Sequence, residues 1–178
     1  NGGGDTNHGQ DTSLYVASQV LSADFPCFSK SYLKFDLGAV PAGVEVISST
    51  LKLMQWGGAG AVPEVPVAAQ GSYMQVFTLN GDWSENTVTW NNGPQPLENV
   101  TGSWMLPRAA GADPVTGDPT YWNVTRLVQD ALKHGKPLNI VVYSADTGFH
   151  SSKYLGSSQV LDQYANLRPS LTVIWGTP

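Results

Sequence analysis

The sequence predicts an all-β fold: two antiparallel sheets packed face to face as a jelly roll or related Greek-key sandwich, with one short helix. Three observations lead there. Apolar residues recur with period two through most of the chain. Turn formers are dense, with 19 Gly and 12 Pro among 178 residues. Only one stretch follows the 3.6-residue period of an amphipathic helix.

Taken in order, Ser31 to Leu37 sets Leu33, Phe35 and Leu37 on one face and Tyr32, Lys34 and Asp36 on the other. Val40-Pro41-Ala42-Gly43 is a turn. The stretch Ile47 to Trp56 alternates again, with Leu51 and Leu53 inward and Lys52 and Met54 outward. Gly57 to Gly71 is rich in Gly, Ala and Pro and reads as a long surface loop. Strands resume over Ser72 to Leu79 and Thr87 to Trp90, and Asn91-Asn92-Gly93-Pro94 breaks the chain. Arg108 to Pro119 reads as another loop, with Asp113-Pro114 and Asp118-Pro119 as turn starters. Val124, Leu127, Val128, Ala131 and Leu132 share one helical face; Asn123 is placed to cap its start, Gly135 to end it, and Pro137 to stop it. Strands at Leu138 to Tyr143, Phe149 to Leu155 and Leu171 to Trp175 bring the total to roughly eight to ten.

The length suits one domain over residues 1–178, able to build a core without a disulfide. Charged residues make up 13%, half the usual share, and the net charge of −5 excludes nucleic acid as the main partner, since phosphate binding needs a basic face. No apolar run is long enough to span a membrane. The single cysteine, Cys27, forms no internal disulfide and reads as a small buried hydrophobe. No signal peptide is present, and the opening NGGGDTNHG reads as an internal cut in a longer chain. A monomer is expected.

Each of the six Trp needs a reading of its own. Trp56 and Trp104 stand where strands meet Gly- or Pro-rich loops, placed to stack on a pyranose ring; Trp122 and Trp175 read as structural. Tyr32, Lys34 and Lys52 point outward from what read as neighbouring strands, and Lys153 lies beside Tyr154 and near His150 on a later one. Combined, they would make a basic, aromatic-edged surface suited to a carboxylate-bearing glycan. Asp5, Asn7 and Asp11 put oxygen donors at close spacing in the opening loop, a pattern that a structural calcium ion uses, although the segment is no EF-hand. His8, His134 and His150 show no metal spacing. Nucleophile-elbow, Walker and dinucleotide motifs are absent. Asp82 and Glu85 flank Trp83, read as turn caps, and lie too close in sequence to promise the carboxylate separation of a glycosidase. Tyr154, His150 and Lys153 are the one set a lyase could draw on.

The blocks DTNHGQDTSLYVAS, KSYLKFDLGAVPAGVEVISSTLKL, DWSENTVTWNNGP, YWNVTRLVQDAL, HSSKYLGS and RPSLTVIW occur in that order. In order and spacing they resemble the DNRLRE-type, or disaggregatase-related, domains grouped with carbohydrate-binding module family 96. The resemblance covers nearly the whole chain. It implies a secreted, non-catalytic β-sandwich that sits beside polysaccharide-degrading domains or in large surface proteins, in a group associated with alginate and other acidic glycans. It also implies that Trp83 and Trp90, in a fold-signature block, pack into the core. It further implies an extra edge strand before the DTNHG block, inside which this chain begins. The expected function is polysaccharide recognition through Tyr32, Lys34, Lys52, Trp56, Trp104, Lys153 and Tyr154. The alternative is a structural or adhesive module of a secreted or surface protein.

Overall fold

The computed structural model describes residues 4–19, 27–58, 69–108, 115–148 and 150–177, without the side chains of Gln19 and Cys27. The burial expected for Cys27, most of the Gly57–Gly71 loop and the Asp113-Pro114 turn therefore lie outside the described residues.

The strands are β1 (Ser13–Gln19), β2 (Cys27–Ser29), β3 (Ser31–Phe35), β4 (Glu45–Gly58), β5 (Ser72–Leu79), β6 (Pro96–Met105) and β7 (Asp118–Asn123), then β8 (Leu138–Ser144), β9 (Lys153–Gly156) and β10 (Ser170–Gly176). One α-helix, α1 (Thr125–Lys133), and one 3-10 segment, Asp162–Leu167, complete the fold. The strands form two sheets, β10-β4-β9-β1-β2 with β7 also on β4, and β3-β8-β5-β6. Every pairing is antiparallel.

Period two builds the sandwich. Val16 of β1, Leu51 and Leu53 of β4 and Leu155 of β9 face Leu33 of β3, Met74 and Val76 of β5, and Ile140 and Val142 of β8 in one buried cluster. Each such side chain contributes about 1.5–3 kcal/mol by leaving water. Trp122, 1% exposed, fills the centre, and its indole N–H donates to the Met74 carbonyl at 2.9 Å, so the ring brings no unpaired donor into the core.

The helix packs Val128 and Leu127 onto this core. Gly135 has φ +61°, and the Lys136 and Gly135 N–H groups return to the Ala131 and Leu132 carbonyls at 3.0 and 3.1 Å. This is a Schellman end, which favours glycine. The start is one residue later than expected: Asn123 Oδ1 accepts from the Thr125 N–H at 3.0 Å, ahead of the first helical turn.

Two expected strands differ, and Asp118-Pro119, read as a turn starter, opens β7 because Pro119 and Asp118 pair with Met54 and Gln55. Thr87 to Trp90 is a turn region, because Asn92 Oδ1 takes the Thr89 N–H and Asn92 Nδ2 serves the Thr87 carbonyl. The strand expected from Phe149 begins only at Lys153. β1, β2, β6 and β7 were not expected as strands; in β6, Glu98, Asn99, Thr101 and Gly102 dilute the alternation.

Candidate functional site

The outward positions of the β3-β8-β5-β6 sheet are the ones between its core residues. Cross-strand register places Tyr32 opposite Val141 and Lys34 opposite Asn139. Gln75 lies opposite Tyr143, Phe77 opposite Val141, and Tyr73 opposite Trp104. One face therefore collects aromatic rings from all four strands. Phe77 meets Tyr143 edge-on at 5.5 Å, and Tyr73 meets Trp104 at 6.3 Å. Trp104 lies against Gly71, where an added Cβ would meet its ring at 2.9 Å, and Tyr73 lies over Gly102. Two glycines thus let the rings settle close to the backbone.

The loop 80–95 adds two more rings. Trp83 packs against Tyr32 at 5.5 Å. Trp90 lies with Tyr32 and Tyr143 around the ammonium of Lys30, which is 4.6, 5.4 and 5.8 Å from the three ring centroids. Such cation–π contacts hold the ammonium over the rings. Burial lowers the Lys30 pKa, and among the described residues no carboxylate pairs with it. The Tyr32 hydroxyl donates to the Pro94 carbonyl at 2.9 Å, and its pKa is pushed up to about 12 by burial and then by Tyr143 nearby. Trp104, Trp90 and Tyr73 keep 53%, 45% and 39% of their surface in solvent.

The opening segment clamps the same loop. Asn7 Nδ2 donates to the Glu85 and Val88 carbonyls at 2.8 and 2.6 Å, and Asn91 Nδ2 donates to Asp5 Oδ1 at 2.8 Å. Asp11 Oδ2 is taken by His8 Nδ1 at 2.8 Å. Asp5 and Asn7 are thus engaged in holding this loop and Asp11 in holding His8, and among the described residues no three His, Cys, Asp or Glu side chains cluster.

The expected single surface does not form. β3 pairs with β8 and β4 with β7, β9 and β10, so the turn between them carries the chain from one sheet to the other. Lys52 consequently lies on the opposite outer face from Tyr32 and Lys34. Lys34 is engaged by Asp82 Oδ1 at 2.7 Å and by the Trp83 carbonyl. The Lys34 hydrogen bond, then the Trp83 N–H, hold the Asp82 carboxyl below its usual range.

Lys153, expected on the surface, is 1% exposed. It shares the inward parity of Leu155, and its ammonium donates to the Gln70 and Ser151 carbonyls, each at 2.7 Å. Burial pulls its pKa down to about 8. Its neighbour Tyr154 points the other way and stacks on Tyr15 and Trp56 at 5.0 and 5.6 Å. Adjacent residues of a strand face opposite sides, so Lys153 and Tyr154 do not converge as an acid–base pair. Trp83 and Trp90, expected in the core, lie on the outer face because their loop folds over the sheet rather than into the sandwich. Arg108 is buried, donating to Asp118 and the Trp56 carbonyl at 2.8 Å each, while Arg168 pairs with Asp162 at 2.6 Å.

The profile of carbohydrate-binding module family 96 matches residues 2–159. The chain belongs to that family. No curated protein matches it. The family-96 match covers β1 through β9 and so contains the whole aromatic platform. Of the residues singled out from the sequence of this family-96 module, Tyr32, Lys34 and Trp104 lie on that platform, and Lys52, Trp56 and Tyr154 on the opposite face. Sequence reasoning missed Lys30, Tyr73 and Tyr143. Tyr73 and Tyr143 carried a signal, being out of phase with the apolar residues of their strands. Lys30 stands just ahead of its strand and carried none.

Proposed function

We propose that the chain is a non-catalytic module of a larger secreted or cell-surface protein, holding a polysaccharide on the outer face of the β3-β8-β5-β6 sheet. The observation that carries this reading is the exposed aromatic face around Lys30 in a member of a carbohydrate-binding family. Aromatic faces stack on the C–H faces of sugar rings, and an ammonium without a carboxylate partner attracts a glycan carboxylate. An acidic polysaccharide such as alginate fits that pairing, despite the net charge of −5, because the cation is local. Lys153 and Tyr154 face opposite sides of β9, which supports a binding role for the module over an acid–base pair at that strand.

The test is affinity electrophoresis through alginate, pectin, chitin and β-glucan gels. Each gel is run with calcium and with chelator, since the Asp5–Asp11 segment that clamps the loop is rich in oxygen donors. The expected result is retardation in an acidic gel that disappears in Trp90→Ala/Trp104→Ala. Migration unaffected by every polymer under both conditions overturns the proposal and favours an adhesive module.

A further inference from the structure

The platform runs from one edge of its sheet to the other. Lys30 precedes β3, one edge strand, and Trp104 belongs to β6, the other. Ser31 is opposite Val142, so Lys30 stands level with Tyr143; Tyr143 is opposite Gln75, and Gln75 opposite Gly102. Gly102 places no side chain on this line, and Tyr73 lies across it. Three strand spacings of roughly 4.8 Å separate the edges by about 14 Å, more than one sugar ring spans. Trp90 and Trp104, at the two ends, both face solvent, so the path is open where a chain would enter and leave.

The ends differ in what they present. At the β3 end stands the Lys30 ammonium among aromatic rings. At the β6 end stand the Tyr73 and Trp104 rings, with centroids 6.3 Å apart. A uronate carboxylate is favoured at the first end, and the C–H face of a sugar ring at the second.

Resting on the glycan-binding reading above, we infer that the platform is a two-ended track for the interior of a polyuronate chain, with one unit's carboxylate at Lys30 and the ring face of another unit on Trp104. Binding then needs several linked units and no chain end.

Calorimetric titration with mannuronate disaccharide, tetrasaccharide and hexasaccharide tests this. Affinity should climb at least about tenfold from disaccharide to hexasaccharide, a step worth about 1.4 kcal/mol. Trp104→Ala should bring the hexasaccharide down to the disaccharide level while leaving the disaccharide unchanged. Lys30→Met should weaken every length and flatten the salt dependence. Trp104 is about half exposed and Lys30 is partly buried among rings, and unchanged melting temperatures check that the variants fold. A disaccharide bound as tightly as the hexasaccharide overturns the track. So does retention by a neutral glucan without affinity for any uronate oligomer, which leaves the glycan-binding reading standing. Failure of every polymer to retain the module removes both.

Discussion

Both outer faces of the sandwich carry rows of aromatic rings, and they use them differently. On the β4 side, Tyr15, Tyr154 and Trp56 stack in sequence at interplanar angles of 25° and 27°. Beside them Met54, Val160 and Leu167 close a second small core with Trp56 and Tyr164, beneath the 3-10 segment. Ring faces there are spent on one another and on that cover. On the β3-β8-β5-β6 side, Trp104 and Trp90 lie about half in solvent. Trp56 and Trp104 have the same local setting in the sequence, a strand meeting a loop. What separates them lies far along the chain: the 3-10 segment that covers one, and Gly71 and Gly102 that seat the other's neighbourhood flat and open. An outward aromatic is a candidate for binding only when nothing else in the fold has claimed its face.

Reciprocal substitutions should break the comparison if it is wrong. The largest effect is expected from Trp90→Ala/Trp104→Ala, which should lower affinity for a retained polysaccharide by at least about a hundredfold, about 2.7 kcal/mol, with little change in melting temperature. Trp56→Ala should do the reverse, costing about 2 kcal/mol of stability in a urea titration and leaving retention unchanged. Loss of retention in Trp56→Ala would place the glycan on the other face.

A stability–pH profile sharpens the same contrast. Lys153, on the inward side of β9 behind Tyr154, has its pKa pulled down to about 8, whereas an unfolded lysine keeps its proton to about 10.4. Between those values the unfolded chain binds more protons, so stability rises with pH. The penalty of the buried charge is in full force below about pH 8 and is relieved as pH climbs. Tyr32, on the platform, acts oppositely: its phenol ionises near 12 when folded but near 10 when unfolded, so its contribution is lost as pH rises past 10. Unfolding free energy should rise by about 1–2 kcal/mol from pH 8 to 10 and then turn down. Lys153→Met should remove the rise, and Tyr32→Phe should soften the fall. The smallest effect is expected from Gly102→Ala, whose methyl displaces the Tyr73 ring; affinity should fall a few-fold, about 0.5–1 kcal/mol, with the Trp90 end unaffected.

The alternation of Leu33, Leu51, Leu53 and Leu155 made the sandwich legible, as the single amphipathic stretch and Gly135 did the helix. Period two reports which side of a strand a residue takes, and nothing in it reports which sheet the strand joins. Lys34 and Lys52 were therefore grouped although the chain changes sheet between them. The parity of Lys153 with Leu155 is readable in the sequence and places the lysine inward. Trp90 was hard to place because it stands in a loop, where periodicity gives no direction. Lys30 became visible only once β8 and the loop 80–95 had folded around it.

The fourteen residues of β4 pair with β7, β9 and β10. The first of these partners begins at Asp118 and the last ends at Gly176, so during synthesis β4 emerges long before any of them exists. One of its edges stays open until β7 has been made, and the other until β10 has. Pairings over such sequence separations close slowly, and a module of this topology is expected to fold in milliseconds to seconds rather than microseconds. The strand that organises one sheet is also the one that must be shielded longest on the way to it.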